Sequence, residues 1–329
     1  WYWIWKKLAG STLIMEINKQ SIINAQRRIK NLIHNTPILS SESINKISGA
    51  NIYFKCENFQ KIGAFKMRGA LNAVMLHSSK EIKKGFVTHS SGNHAQAVAL
   101  SSKIMKSKAY IVMPNNAPKI KIDAVKGYGA EITFCVNNEN ARKESCEKLI
   151  KKTGANFIHP YDNDSVIVGQ ATCSKEIYDI SPTLNLDYIL CPVGGGGLAS
   201  GTILSTKFFS PKTKVILAEP KNASDAYRSF IEKKLIPVKD PKTIADGLLT
   251  SLSEKTFNII VKGAEKIITV SEDEIIFAMK LIWERMKIIC EPSCAVPLAA
   301  ILKTKQVFKN KNVGIILTGG NVDLKNLPF

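Results

Sequence analysis

Two rhythms of apolar and polar residues alternate along most of this chain. Short continuous apolar runs read as buried strands, and stretches with apolar residues every three or four positions read as helices. From residue 85 the alternation is regular: strand 85–89, helix 93–103, strand 109–113, helix 119–126, strand 131–135, helix 139–152 and strand 156–158. Repeats of this period imply right-handed crossovers and a parallel sheet covered on both faces, an α/β fold. Upstream, a helix is predicted from Asn18, with Ile22, Ile29, Leu32 and Ile33 on one face and Asn35-Thr36-Pro37 as its stop, followed by a strand over 51–56. Downstream, strand 188–193 leads into a helix from Leu198, and strand 214–218 into a helix over 226–233. Ser271-Glu272-Asp273-Glu274 then caps a helix carrying Ile275, Met279, Ile282 and Met286 on one face. A further helix follows Glu291-Pro292-Ser293, and strand 312–317 delivers Thr318.

The 329 residues suffice for two domains. Lys plus Arg total 46 against 27 for Asp plus Glu, a net charge of +19, which raises the question of a nucleic-acid partner. The lysines are spread along the chain, however, and no zinc-finger or basic-zipper spacing occurs, so a solvated basic surface is the expectation. Seven cysteines without a C-x-x-C pair, several inside apolar runs, suggest reduced buried thiols in a cytoplasmic protein. Residues 1–14, from Trp1-Tyr2-Trp3 to Ile14, are aromatic and basic, too short to span a membrane and unlike a signal peptide. They read as an extension of cloning or gene-prediction origin, before a start at Met15.

Three stretches carry candidate chemistry. Gly194, Gly195, Gly196 and Gly197 follow the strand at 188–193 and precede a helix. A strand entering a helix through residues without side chains leaves backbone N–H groups convergent at the positive end of the helix dipole, a phosphate cradle. A tight turn requires only one or two glycines. Gly194-x-Gly196-x-x-Ala199, with Glu219 closing the next strand, also fits a dinucleotide fingerprint, although such fingerprints usually open their domain. Lys66 lies among Phe65, Met67 and Gly69 just before a helix, where desolvation favours the neutral amine that Schiff-base chemistry requires. Most lysines are simply surface residues. Ser90-Ser91-Gly92-Asn93-His94 sits between a strand and a helix, and this succession of hydroxyls, glycine and amide makes a carboxylate site. One Ser or Asn would serve as a plain cap.

Together, Phe65-Lys66-Met67-Arg68-Gly69-Ala70, Ser90-Ser91-Gly92-Asn93-His94, the four glycines and Thr318-Gly319-Gly320-Asn321-Val322-Asp323 resemble the pyridoxal-phosphate enzymes of fold type II, the tryptophan-synthase-β fold. Within that group the chain is similar to the serine racemases and the serine/threonine and 3-hydroxyaspartate dehydratases, from about Met15 to Leu327. The resemblance implies a two-domain α/β enzyme in which a small domain (84–157) is inserted into a large one (15–83 and 158–329), with the site in the cleft between them. It implies that Lys66 forms the Schiff base, that Gly194, Gly195, Gly196, Gly197 and Leu198 bind the pyridoxal 5'-phosphate, and that Phe65 packs near its ring. Asn93 would bond the ring 3′-oxygen and Thr318 the ring nitrogen, where a hydroxyl makes a weaker electron sink than a carboxylate. Ser90, Ser91, Asn93 and His94 would hold the substrate carboxylate.

Two further likenesses select the activity. In related racemases a serine at the Ser91 position faces Lys66 across the cofactor, so the two exchange protons on opposite faces; Ser91 and Lys66 are therefore the implied catalytic pair. The segment from Leu217 to Asp225 resembles the racemase cation site, with Glu219, Asp225 and the Ala223 carbonyl as ligands for Mg²⁺, Ca²⁺ or Mn²⁺. A surface loop with two acidic residues is the plain alternative. The expected activity is serine racemisation with β-elimination from serine, threonine or 3-hydroxyaspartate, in a cytoplasmic homodimer with no nucleic-acid or membrane partner. A threonine dehydratase that does not racemise is the alternative, favoured by His159-Pro160-Tyr161-Asp162, and a nicotinamide-dependent oxidoreductase is the more distant one. Ala64 and Ala95 depart from the usual serine and glycine. The short stretch after Thr318 leaves feedback control by a C-terminal regulatory domain unexpected.

Overall fold

A computed structural model of the chain describes residues 17–117, 119–180 and 182–329. The extension expected over residues 1–14 lies outside the described residues. Two sheets organise the chain. The larger takes the order β1 (Ile38–Leu39), β2 (Asn51–Cys56), β10 (Asn312–Leu317), β7 (Tyr188–Pro192), β8 (Lys214–Pro220) and β9 (Lys266–Val270), and the smaller the order β5 (Glu131–Cys135), β4 (Ala109–Pro114), β3 (Phe86–His89) and β6 (Asn156–Phe157). Every pairing is parallel except the edge pair β1 with β2. The chain joins the strands of the small sheet through α5 (Asn93–Ile104), α6 (Lys119–Gly127) and α7 (Glu139–Thr153). The alternation legible from residue 85 thus becomes a parallel sheet.

Local chemistry accounts for the element ends. The helix α1 (Lys19–Ile29) opens on a reciprocal cap, the Asn18 side chain accepting from Ser21 N while the Asn18 N–H donates to Ser21 Oγ. It ends at Ile29, six residues before Asn35, because Leu32 N bonds back to Ile29 O in a turn that still carries Ile33 into the core. Ser271 and Glu274 cap α12 (Glu272–Met286) reciprocally, as predicted. The helix α8 (Asp164–Ile180) was not foreshadowed by any periodicity. It runs through the middle of the molecule, packed against α1, α3 (Lys66–Met75) and α9 (Gly197–Phe209), and is buried continuously from Val166 to Ile177, so its polar residues fall on every face.

What matters for function is where the strands end. Residues 57–66 follow β2, the Ser90–His94 turn follows β3, the glycines follow β7 and Thr318 follows β10. In open α/β sheets ligands bind beyond the carboxyl ends of the parallel strands. All three candidate stretches and Thr318 occupy that position. The seven cysteines are free thiols and all are buried. Among the described residues no helix is long and apolar enough to cross a membrane.

Candidate active site

Lys66 is the first residue of α3, and its placement is fixed from both sides. Ahead of it, Phe65 N donates to Thr318 O at 3.0 Å and Ala64 bridges to Gly319, which ties this segment to the end of β10. Behind it, the fully buried Arg68 forks between two carboxylates, Glu57 at 2.7 and 2.8 Å and Glu176 at 2.7 Å, and Lys55 adds a 2.7 Å bond to Glu176. Burial alone would raise the Glu57 carboxyl, but the Arg68 guanidinium outweighs it and holds the carboxyl below its usual range. This charge cluster clamps the start of α3 against β2 and α8.

The Lys66 amine points toward the loop after β6, where Nζ donates to Pro160 O at 3.1 Å, with the Phe65 ring centroid 5.3 Å away. Loss of water pushes its pKa down to about 8, against an upward pull from the Glu291 carboxylate. The Pro160 carbonyl is itself held in place, since His159 Nδ1 accepts from Asp162 N at 2.8 Å and from Tyr161 N at 3.3 Å. Burial drives the His159 pKa well below its usual value, so the ring remains the neutral acceptor this loop needs.

The glycine turn packs closely against three other segments. A Cβ on Gly195 would lie 2.3 Å from the Tyr161 ring, and Gly196 adopts φ +87°, with a Cβ position 2.7 Å from Thr256. Glycine is therefore required there by the protein's own packing. The same turn leaves donors free. Gly195 O accepts from Thr256 Oγ1 and Gly196 O from Ser200 N, while the N–H groups of Gly194, Gly195, Gly196, Gly197 and Leu198 meet no acceptor from another element among the described residues. They sit at the N-terminus of the 13-residue helix α9. That is a cradle of donors suited to a phosphate.

The Ser90–His94 turn is not a plain cap. Gly92 occupies the capping position of α5, which receives no side-chain cap bond, and Ser90 Oγ instead accepts from Gly92 N at 3.2 Å. The Asn93 amide reaches away from the helix: Nδ2 donates to Glu291 at 2.9 and 3.2 Å, and Oδ1 accepts from Asn321 Nδ2 at 2.8 Å. Ser91 is half-buried. His94 is buried, and burial followed by the neighbouring Lys66 depresses its pKa to about 3. Its Nε2 lies 3.1 Å from Ile158 O, a group that can only accept, so Nε2 carries the proton and the buried Nδ1 is a lone-pair acceptor without a partner. Toward a carboxylate His94 therefore offers its backbone N–H in the first turn of α5 rather than its ring.

Thr318 Oγ1 is buried and unpartnered, and Glu291, whose N–H donates to Gly319 O at 3.0 Å, is also buried, its pKa pushed up to about 8 by burial and by Asp246. The carboxylate pair expected to bind a cation lies at the end of β8. Both Glu219 oxygens accept backbone N–H groups at the start of α10 (Asp225–Glu232), from Ala226 at 3.0 Å and Tyr227 at 2.8 Å. Both Glu219 oxygens are thus spent on capping a helix, which leaves none for the ribose role of a dinucleotide fingerprint. Asp225 Oδ2 accepts from Leu252 N at 3.3 Å and Oδ1 is buried without a partner. Burial raises the pKa of both, that of Asp225 to about 6, with Asp225 also raising that of Glu219. Two buried, mutually repelling carboxylates with an unused oxygen suit a hard cation. Among the described residues no cluster of three or more His, Cys, Asp or Glu side chains is found, so the Ala223 carbonyl and waters would have to complete its shell.

Pro160, Tyr161, Glu291 and Thr256 escaped the sequence reading as site residues. Each comes from a segment distant from the three motifs, and the likeness of His159-Pro160-Tyr161-Asp162 to the dehydratases gave Pro160 and Tyr161 no role in the site. The residues fit pyridoxal phosphate on three independent counts: a desolvated lysine, free N–H donors at a helix N-terminus, and an orphaned hydroxyl at the end of β10.

Comparison with known proteins agrees with this chemistry. A family model described as "Pyridoxal-phosphate dependent enzyme" matches residues 29–319. Serine racemase of Dictyostelium discoideum is 49% identical over 318 residues, covering 94% of this chain and 97% of that protein. The beta-hydroxyaspartate dehydratase of Paracoccus denitrificans is 46% identical over 310 residues, covering 94% and 98%. The structure of maize serine racemase superposes with a TM-score of 0.92 at 40% identity, covering 94% of this chain and 95% of the other. The chain therefore belongs to the pyridoxal-phosphate dependent enzyme family.

Proposed function

We propose that this protein is a serine racemase that also eliminates ammonia from serine, threonine or 3-hydroxyaspartate to give the 2-keto acid. The observation that carries the reading is the Lys66 amine, desolvated to a pKa of about 8 and aimed across the cleft at Pro160 O. Racemase and dehydratase relatives of nearly full length support it. Lys66 would hold the cofactor covalently, the N–H groups of Gly194, Gly195, Gly196, Gly197 and Leu198 its phosphate, Asn93 its ring oxygen and Thr318 Oγ1 its ring nitrogen, with Phe65 beside the ring. When bound, pyridoxal phosphate supplies the sink for the electrons left behind by a departing α-proton.

The remaining steps belong to the chain. Hydroxyls and backbone N–H groups of Ser90, Ser91, Asn93 and His94 receive the substrate carboxylate, which orients the α-hydrogen along the Lys66 side. With a pKa near working pH, the freed Lys66 amine both accepts that proton and returns it. The Pro160 carbonyl keeps the amine aligned during the exchange. Ser91 supplies or removes the proton on the opposite face, and this two-sided arrangement inverts the centre. When the β-hydroxyl departs before reprotonation, elimination results. Glu219, Asp225 and the Ala223 carbonyl would hold Mg²⁺, Ca²⁺ or Mn²⁺, and the working unit is a cytoplasmic homodimer. The test is to load the protein with pyridoxal phosphate and supply L-serine, L-threonine and L-threo-3-hydroxyaspartate, assaying keto acid and D-enantiomer together. Keto acid without any D-serine would favour the plain dehydratase.

A further inference from the structure

The Asn93 amide has two unlike ends, and only one of them suits a ring oxygen that carries negative charge. Its orientation is dictated from a distance. The Ile62 carbonyl can only accept, and Asn321 Nδ2 lies 2.7 Å from it, which fixes the Asn321 amide with its amino group on that side. The same amino group donates its second hydrogen to Asn93 Oδ1 at 2.8 Å. The Asn93 oxygen is thereby occupied, and its amino group turns toward the Glu291 carboxyl oxygens at 2.9 and 3.2 Å. One Asn93 N–H serves Glu291, and the other remains for a ligand. Either protonation state of Glu291 leaves an acceptor oxygen for this bond.

Both supporting side chains are built in. A Cβ at Gly63 would lie 2.8 Å from Asn321 Oδ1, and one at Gly319 would lie 2.6 Å from Glu291 Oε1, so only glycine leaves room for either. Ile62, whose carbonyl anchors the relay, has φ +60°, a left-handed conformation that a β-branched residue adopts only under constraint. The bond from Gly320 N to Gly63 O, at 2.9 Å, closes the same loop.

We propose that Asn321 and Glu291 are positioning residues that hold the Asn93 amide with its N–H toward the cofactor's ring oxygen, with Ile62 O as the fixed reference. The inference rests on the site being a pyridoxal-phosphate centre. Asn321→Asp is nearly isosteric but places carboxylate oxygens against two acceptors, Ile62 O and Asn93 Oδ1, which drives the Asn93 amide to flip. Apo-protein is titrated with pyridoxal phosphate, and the dissociation constant, the visible absorption maximum and the apo melting temperature are read for N321D, N321A, E291A and G319A. N321D is expected to weaken cofactor binding about tenfold and to displace the absorption maximum, with N321A weaker in both effects. E291A, which removes the acceptor that holds the Asn93 amino group, and G319A, which crowds Glu291, are both expected to displace the maximum. The G319A spectrum decides the matter if N321D does not fold. Unchanged affinity and absorption maximum in both N321D and G319A, even with lowered melting temperatures, would overturn the proposal, because both residues would then be structural only. A colourless unaltered protein would instead overturn the cofactor reading on which it rests.

Discussion

Lys66 Nζ donates a 3.1 Å hydrogen bond to the carbonyl oxygen of Pro160, a residue 94 positions further along the chain. The bond joins the start of α3 to the loop that leaves the small sheet. It gives the amine a direction, while burial lowers its pKa to about 8.

A first consequence concerns pH. A lowered lysine pKa means that the reactive neutral amine forms as pH rises through about 8, whereas an ordinary lysine requires about 10.5. The rate at which apo-protein takes up pyridoxal phosphate should therefore rise with a midpoint near pH 8. A midpoint above pH 10 would show a solvated Lys66.

Ser91→Ala should remove racemisation while sparing elimination from one enantiomer, since only one of the two faces loses its proton donor. D-serine formation and pyruvate formation, measured on the same samples, separate the two. Equal loss of both would contradict a two-sided arrangement.

Gly195→Ala places a methyl group where the Tyr161 ring already stands, 2.3 Å away. Overpacking of this kind costs about 1–3 kcal/mol, and the displaced turn should also bind pyridoxal phosphate more weakly. Adding Tyr161→Ala should restore part of the stability in a denaturant titration. No restoration would mean that the clash lies elsewhere.

The Arg68 cluster predicts acid sensitivity. The folded Glu57 pKa lies below its usual 4.5, so its contribution is fully present above about pH 4.5 and is lost as pH falls through the folded value. Glu57→Gln should destabilise the protein by about 3 kcal/mol at pH 7, because Arg68 loses one of its two carboxylates. The gap between variant and unaltered protein should narrow in urea titrations carried toward pH 4. A gap independent of pH would contradict the assignment.

Much of this site was legible because its main parts are contiguous. The glycine turn, Phe65-Lys66 and Ser90–His94 each place several functional groups within a few residues, and each follows a strand whose apolar run is plain in the sequence. Glu291 and Tyr161 were not legible as site residues, since each acts through contacts with segments remote in sequence: Asn93 lies 198 positions from Glu291. The helix α8 escaped for a different reason. Buried on all sides, it carries Gln170, Thr172, Lys175 and Glu176 in the interior, where α3 and its neighbours satisfy several of them, so no apolar stripe announces it. The Leu217-to-Asp225 segment shows the limit of motif reading, since its Glu219 has a helix-capping role that spacing alone does not reveal.

The most direct test of the central claim is the absorption spectrum of the purified protein and of Lys66→Ala, each after addition of pyridoxal phosphate and then L-serine. The unaltered protein should show a band near the visible edge that shifts with L-serine, and Lys66→Ala should lack it. An unchanged band in Lys66→Ala, or no band in the unaltered protein, would contradict the assignment of Lys66 as the residue that holds the cofactor.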